Sequence, residues 1–230
     1  LIHPYCIRRA GEPGPSAEVR GVTGAPVVLL EHNGLGVWHS TCGEVHPTPE
    51  NLARHDRVVR AALATGTPLP LRFGMRIAEV DGLERTLREQ RDEYLRLLDR
   101  VEGCVEIGLR LPLADRHGSG GAKDDRGAET GGEGGRYMRR LRTEHERQRL
   151  RREAAERSLA PVLAALPAPV EVAREVVDGS VVVVSLLVRK PDVPSFRDAF
   201  PAAREAVEGP LSMTGPWPPY SFTRVGPDER

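Results

Sequence analysis

Three side chains far apart in the chain carry the clearest suggestion of chemistry. His55 shares a helical face with Leu52 and Val59, while Arg72 and Glu106 fall on two β-prone segments that such a helix would cover. An imidazole, a guanidinium and a carboxylate brought together could serve as an acid/base pair beside a phosphate-binding arginine. The same groups could instead close a polar network in which the carboxylate neutralises a buried arginine and fixes the packing of one domain. The structural reading is favoured, because nothing else supports catalysis. There is no GxxxxGK[ST] loop, no HExxH, no GxSxG and no GxGxxG after a strand. The glycines from Gly118 to Gly121 precede Lys123 without a flanking strand and read as linker. His3, His32, His39 and His46 lack metal-ligand spacing. Cys6, Cys42 and Cys104 are too scattered for a disulfide framework or a zinc site and read as reduced thiols. No catalytic, cofactor-binding or metal-binding residue is assigned, and no cofactor is expected.

A second concentration of chemistry is cationic. From Arg136 to Arg157 a helical pattern carries nine arginines and four glutamates, with few apolar anchors. Arginines along a helix can neutralise phosphates. Here glutamates intersperse them, no aromatic side chains interleave, and the whole chain balances 33 basic against 33 acidic residues. A solvated or partner-binding face fits better, with Arg139, Arg142, Arg149 and Arg152 as candidate contacts and no nucleic acid as partner. No membrane span is expected either, since the longest aliphatic run, Val181 to Val188, is broken by Ser185 and falls far short of the roughly 20 residues required.

The elements that must position these groups alternate in type. Tyr5-Cys6-Ile7, Val27 to Leu30 and Gly36 to His39 are short β-prone runs, and Asn33-Gly34 is a favoured hairpin turn. Thr48-Pro49 announces a helix ending near Gly66. Pro68 to Met75 reads as a strand turning at Gly74, and Asp81 with Glu84 as the reciprocal cap of one long helix whose apolar stripe runs from Val80 to Val101. Cys104 to Leu109 is a strand. Residues 113–135 lose hydrophobic periodicity and read as a disordered Gly-rich linker. Beyond the arginine-rich helix, which Pro161 is expected to interrupt, the segment Val162 to Leu166 docks on a second core. Val170 to Val177 and Val181 to Val188 flank the turn pair Asp178-Gly179, and the second of these strands is apolar enough to be central. A helix from Ser195 to Val207 contains Pro201, which should kink or split it.

This pattern predicts an α+β fold in two domains: an N-terminal α+β unit over residues 1–112, related to the ferredoxin-like sandwich, and a C-terminal α+β unit with the long charged helix over 136–230.

The last aromatic cluster is the most informative. Thr214-Gly215-Pro216-Trp217-Pro218-Pro219-Tyr220-Ser221-Phe222 holds three aromatic residues and three fixed-φ prolines, so it reads as a stiff extended strap that is neither helix nor central strand. Such a strap closes a core or presents a binding surface, and core closure is the better reading because exposed aromatic clusters are a liability.

The same segment resembles the tGPWPPYsF signature of the gas vesicle F/L family. Asn51-Leu52 with His55 and Val58 resembles the family's NL..H..V helix, Leu69-Pro70-Leu71-Arg72-Phe73-Gly74 its LPLRFG turn, and Val105-Glu106-Ile107-Gly108-Leu109 its vE.gl strand. Gly135-Arg136-Tyr137-Met138 is similar to the start of its long helix, with methionine for leucine and one residue fewer before the tyrosine. The resemblance runs from about Tyr5 to Phe222. It implies two α+β domains, the first a modified ferredoxin-like fold, and no established catalytic residues. It also implies a cytoplasmic minor protein required for gas vesicle formation, residing at the vesicle, on the gas-facing side of its wall. The implied partners are the major gas vesicle shell protein and other gas vesicle accessory proteins. Two rivals remain: a soluble chaperone-like adaptor absent from the mature wall, and an enzyme using His55, Arg72 and Glu106.

Overall fold

The computed structural model describes residues 1–112, 142–143, 146, 149–150, 153–154, 157–177, 181–207 and 209–223. The early β-prone runs form β1 (Ile2–Arg9), β2 (Val28–His32) and β3 (Leu35–Thr41). β2 and β3 are joined through Asn33 and Gly34, whose φ angles of 54° and 83° are the left-handed values that an Asn-Gly pair tolerates in a tight hairpin. Thr48 caps α1 (Pro49–Ala64), its hydroxyl accepting the Asn51 N–H at 3.2 Å.

The strand expected over Pro68 to Met75 is reduced to β4 (Leu69–Pro70). One further bond, Leu71 N–H to the Tyr5 carbonyl, extends it before the chain turns at Gly74 and returns as a bridge between Ile77 and Ile2.

The single helix expected from Val80 to Val101 is two, α2 (Val80–Glu89) and α3 (Arg91–Val101), broken at Gln90. Arg88 closes one helix and Asp92 with Glu93 opens the next, charges that suit each end's dipole. The reciprocal Asp81/Glu84 cap does not form, because α2 starts two residues earlier, with Glu79 at the cap and no side-chain bond there.

The first sheet has the order β2-β3-β1-β4, antiparallel throughout. From its other edge this is β4-β1-β3-β2, the arrangement of a ferredoxin-like sandwich, except that the first crossover, residues 10–27, is a loop instead of a helix. The second sheet comprises β5 (Cys104–Pro112), β6 (Glu171–Val177), β7 (Val181–Arg189) and β8 (Ser212–Trp217) in the order β6-β7-β5-β8, with β7 central as expected. β5, which a boundary at residue 112 assigns to the first unit, makes its ladder bonds to β7 and β8. Helical residues 157–165 (α4) connect β5 to β6, and α5 (Val193–Glu205) connects β7 to β8, so this half repeats the same strand order with both crossovers helical.

Neither proline stops its helix. Pro161 lies inside α4 and Pro201 inside α5, with Leu159, Val162, Phe196 and Ala203 buried around them to hold the flanking turns.

Strand alternation sorts the second sheet's side chains. Val105, Ile107, Leu109, Val182, Val184 and Leu186 face α4 and α5, where Val162 and Leu166 dock as expected. The opposite face carries Cys104 and Leu187, which join Phe222 and the α2–α3 stripe in a core shared with Ile7, Leu35 and Val37 of the first sheet. A third cluster lies between the other face of the first sheet and α1, around Tyr5, Trp38, Val58 and Val59. Residues 113–135 and the Asp178-Gly179 turn lie outside the described residues.

Candidate functional site

The expected His55–Arg72–Glu106 cluster does not assemble. Arg72 is exposed, beyond the short β4, while His55 and Glu106 are buried in separate polar centres.

His55, on α1, faces β1. Its Nε2 lies 2.9 Å from the Leu71 carbonyl, which can only accept, so this nitrogen carries the proton. Its Nδ1 must therefore accept from His3 Nε2, also at 2.9 Å. This chain of bonds fixes both tautomers and leaves His3 Nδ1, buried and without a partner among the described residues, as a bare lone pair. Tyr5 and Phe73 enclose the two rings edge-on or tilted, with centroids 4.9 to 5.7 Å apart. Burial, with the His55 ring second, pushes the His3 imidazole down to about 4, and burial also lowers His55. Both are neutral and hold β1, α1 and the Leu71 turn together. His3 was missed because it stands 52 residues from His55. The one available signal was strand alternation, which puts His3 beside Tyr5 on one face of β1.

Glu106 belongs to the terminal strap. It accepts the Ser221 hydroxyl at 2.7 Å and the Ser221 N–H at 2.9 Å, and Ser221 also meets the Ser185 hydroxyl at 2.9 Å. The strap begins as the edge strand β8, where Pro216 is tolerated because no further strand needs its N–H. Gly215 passes so close to β5 that a Cβ there would sit 2.7 Å from the Glu106 carbonyl, and its φ of 114° suits glycine alone. Past the buried Pro218 and Pro219 the strap is not extended as expected but closes in a 3-10 turn, Tyr220–Phe222, which drives Phe222 into the shared core. Trp217 stays half-buried under the Arg60 guanidinium, 3.9 Å from its ring centroid, and Arg60 is itself paired with Asp56 at 2.6 Å. Tyr220 packs against the α1 core, and burial raises its hydroxyl pKa. The strap therefore fastens α1 to β5 of the second sheet.

A third polar centre was not anticipated. Arg8, almost fully buried, donates to Glu12 at 2.8 Å and to Thr65 at 2.7 Å, and Lys190 donates to the Leu63 and Gly66 carbonyls at 3.1 Å each. A lysine that follows β7 of the second sheet thus satisfies free carbonyls at the end of α1.

Of the expected contact arginines, Arg142 and Arg149 are exposed at helical positions, and Arg149 pairs with Glu146 at 2.7 Å. Arg139, Arg152 and Tyr137 lie outside the described residues. Asn51, half-buried, anchors the α1 entry through Nδ2 to the His46 carbonyl at 3.0 Å. Among the described residues no cluster of ligating side chains could hold a metal ion, and no helix is long and apolar enough to cross a membrane.

A family model described as gas vesicle synthesis protein GvpL/GvpF matches residues 1–224. The chain is 26% identical to gas vesicle protein L of Streptomyces sp. (strain CB03234), covering all of this chain and 95% of that one. It is 25% identical to gas vesicle protein L1 of Halobacterium salinarum, covering 95% and 88%. The fold is similar to the crystal structure of GvpF from Microcystis aeruginosa, with a TM-score of 0.68, 19% identity and coverage of 97% and 99%. It is also similar to GvpF from Anabaena sp. PCC7120, with a TM-score of 0.70, 16% identity and coverage of 100% and 98%.

Proposed function

Because this chain belongs to the GvpL/GvpF family of gas vesicle proteins, we propose that it is an assembly component of the gas vesicle that binds the major shell protein and other accessory proteins. The observation that carries this reading is the extent of the match, residues 1–224, which takes in both sheets and the strap. The internal bonding of the two carboxylate and histidine centres supports a non-catalytic role, since His55, His3 and Glu106 are each committed to holding elements together. A site on the surface remains, and the charged helix is the first candidate, with Arg142 and Arg149 exposed on it.

The test is co-expression of the major shell protein with the tagged full chain, in wild-type form and with Arg139, Arg142, Arg149 and Arg152 replaced by Gln. Capture by the wild type and loss in the folded variant is the expected result. Capture by neither protein, both being soluble and folded, overturns direct shell binding. Detection of the chain in washed vesicles separates a wall component from an adaptor that leaves before the wall is complete.

A further inference from the structure

The first crossover, where a helix of the ferredoxin-like pattern is replaced by a loop, creates a groove whose lining among the described residues includes none from the strap. Its volume is about 500 Å³, within the range of binding clefts, and it lies between the loop and α1. Arg20, Arg54, Arg57 and Glu18 line it above an apolar floor of Val58 and Ala61.

Both walls are held in place. The Val22 N–H donates to the buried Tyr5 hydroxyl at 2.9 Å, and Arg54 Nη1 donates to the Val22 carbonyl at 3.0 Å, tying the loop to the sheet and to α1 at the same residue. Gly21 has no room for a side chain, since a Cβ would lie 2.3 Å from both the Tyr5 and Ser40 hydroxyls.

The three arginines differ in how far they are satisfied. Arg54 pairs with Glu50 at 2.7 Å. Arg20 donates one Nη to the carbonyls of Ala17 and Val19, and Arg57 donates only its Nε, at 3.4 Å, to the Ala53 carbonyl. Among the described residues neither Arg20 nor Arg57 has a carboxylate partner, although elsewhere on α1 Arg54 and Arg60 each take one four residues back. Two guanidinium groups without acids, over apolar carbon and opposite a fixed wall, suit a carboxylate flanked by aliphatic side chains.

We propose that this groove is a docking site for an acidic segment of a partner protein, received by Arg20 and Arg57 with its apolar residues on Val58 and Ala61. The proposal deepens the assembly reading by adding a second contact surface, and it rests on that reading for the partner's class. Glu18 sets the selectivity: it repels a bare anion and leaves room for a segment whose carboxylates are spaced apart.

The probe is a fluorescein-labelled hexapeptide alternating glutamate and leucine, titrated into the full chain and followed by anisotropy, with its glutamine counterpart and inorganic phosphate as comparisons. Saturable binding of the acidic peptide is expected, weakened about tenfold or more in Arg20→Gln/Arg57→Gln, tightened in Glu18→Gln, and absent for the glutamine peptide. Melting temperatures should match in all variants, because these side chains are exposed. Equal affinity in wild type and double variant, or no binding at millimolar peptide, overturns the proposal. Displacement by phosphate at the peptide's own concentration also overturns it, since the site would then read an oxyanion alone. In the shell pull-down, capture undiminished by Arg20→Gln/Arg57→Gln excludes the groove as shell contact and leaves the assembly reading standing. Peptide binding without shell capture does the reverse.

Discussion

Glu106 grips Ser221 with both carboxylate oxygens, one taking the backbone N–H and the other the hydroxyl. The strap is thereby clamped to β5 at the point where it turns Phe222 inward. Bonds to a charged acceptor contribute about 1.5–3 kcal/mol each, and leaving a buried donor unpaired costs about 1–3 kcal/mol. Glu106→Ala should therefore lower stability more than Ser221→Ala, which keeps the backbone bond. A double-mutant cycle by urea denaturation checks this, and additive losses would show that the two residues do not act as a pair.

Phe222 and Trp217 divide the work of the strap unequally. Phe222 is 2% exposed in the shared core, so Phe222→Ala should cost about 3–5 kcal/mol. Trp217 is half-buried and stacked under Arg60, a geometry worth about 0.5–1 kcal/mol beyond its contact area. Trp217→Ala should be the milder change by thermal melt, and Arg60→Gln should reproduce part of it. An equal loss for the two aromatics would place Trp217 in the core with Phe222.

The His3–His55 pair makes stability depend on pH. Both imidazoles are neutral in the fold, and an unfolded histidine takes up its proton near 6.5. With the folded pKa depressed, the contribution is complete above about 6.5 and is lost as pH falls toward 4, because protonation puts an N–H where His3 Nδ1 has no acceptor or His55 Nδ1 must itself accept. His39, also lowered by burial, acts in the same direction. The melting temperature should fall from pH 7 to pH 5, and His3→Gln should flatten that slope while lowering the plateau. A parallel slope in the variant would assign the pH response elsewhere.

What was legible in the sequence was local. The Asn33-Gly34 hairpin and the Thr48 cap are set by neighbours within a few residues, and the continuous apolar run of β7 marks it as central wherever its partners lie. The break at Gln90 was hidden because the apolar stripe continues in phase across it, and only the charge reversal from Arg88 to Asp92 marks the two helix ends. The partners of β5 lie 69 residues or more downstream, a distance over which periodicity carries no information. For the same reason Glu106 found a serine in the strap rather than an arginine on the nearer turn, and His55 found another histidine.

Lys190 offers the sharpest test of how the two sheets are coupled. It stands just after β7, yet it donates to the Leu63 and Gly66 carbonyls at the end of α1, beside the buried Arg8 and Glu12. Burial, with Arg8 second, lowers its ammonium pKa, so the lysine stays there because those carbonyls would otherwise be unpaired. Lys190→Met keeps the stem's bulk and removes the donors, leaving two acceptors short of a partner at a helix end. A loss of about 1–3 kcal/mol by urea denaturation is expected. If the two sheets unfold together through their shared core, the midpoint should shift with its slope preserved. A variant that instead unfolds in two steps would show Lys190 to be the fastening without which the sheets separate.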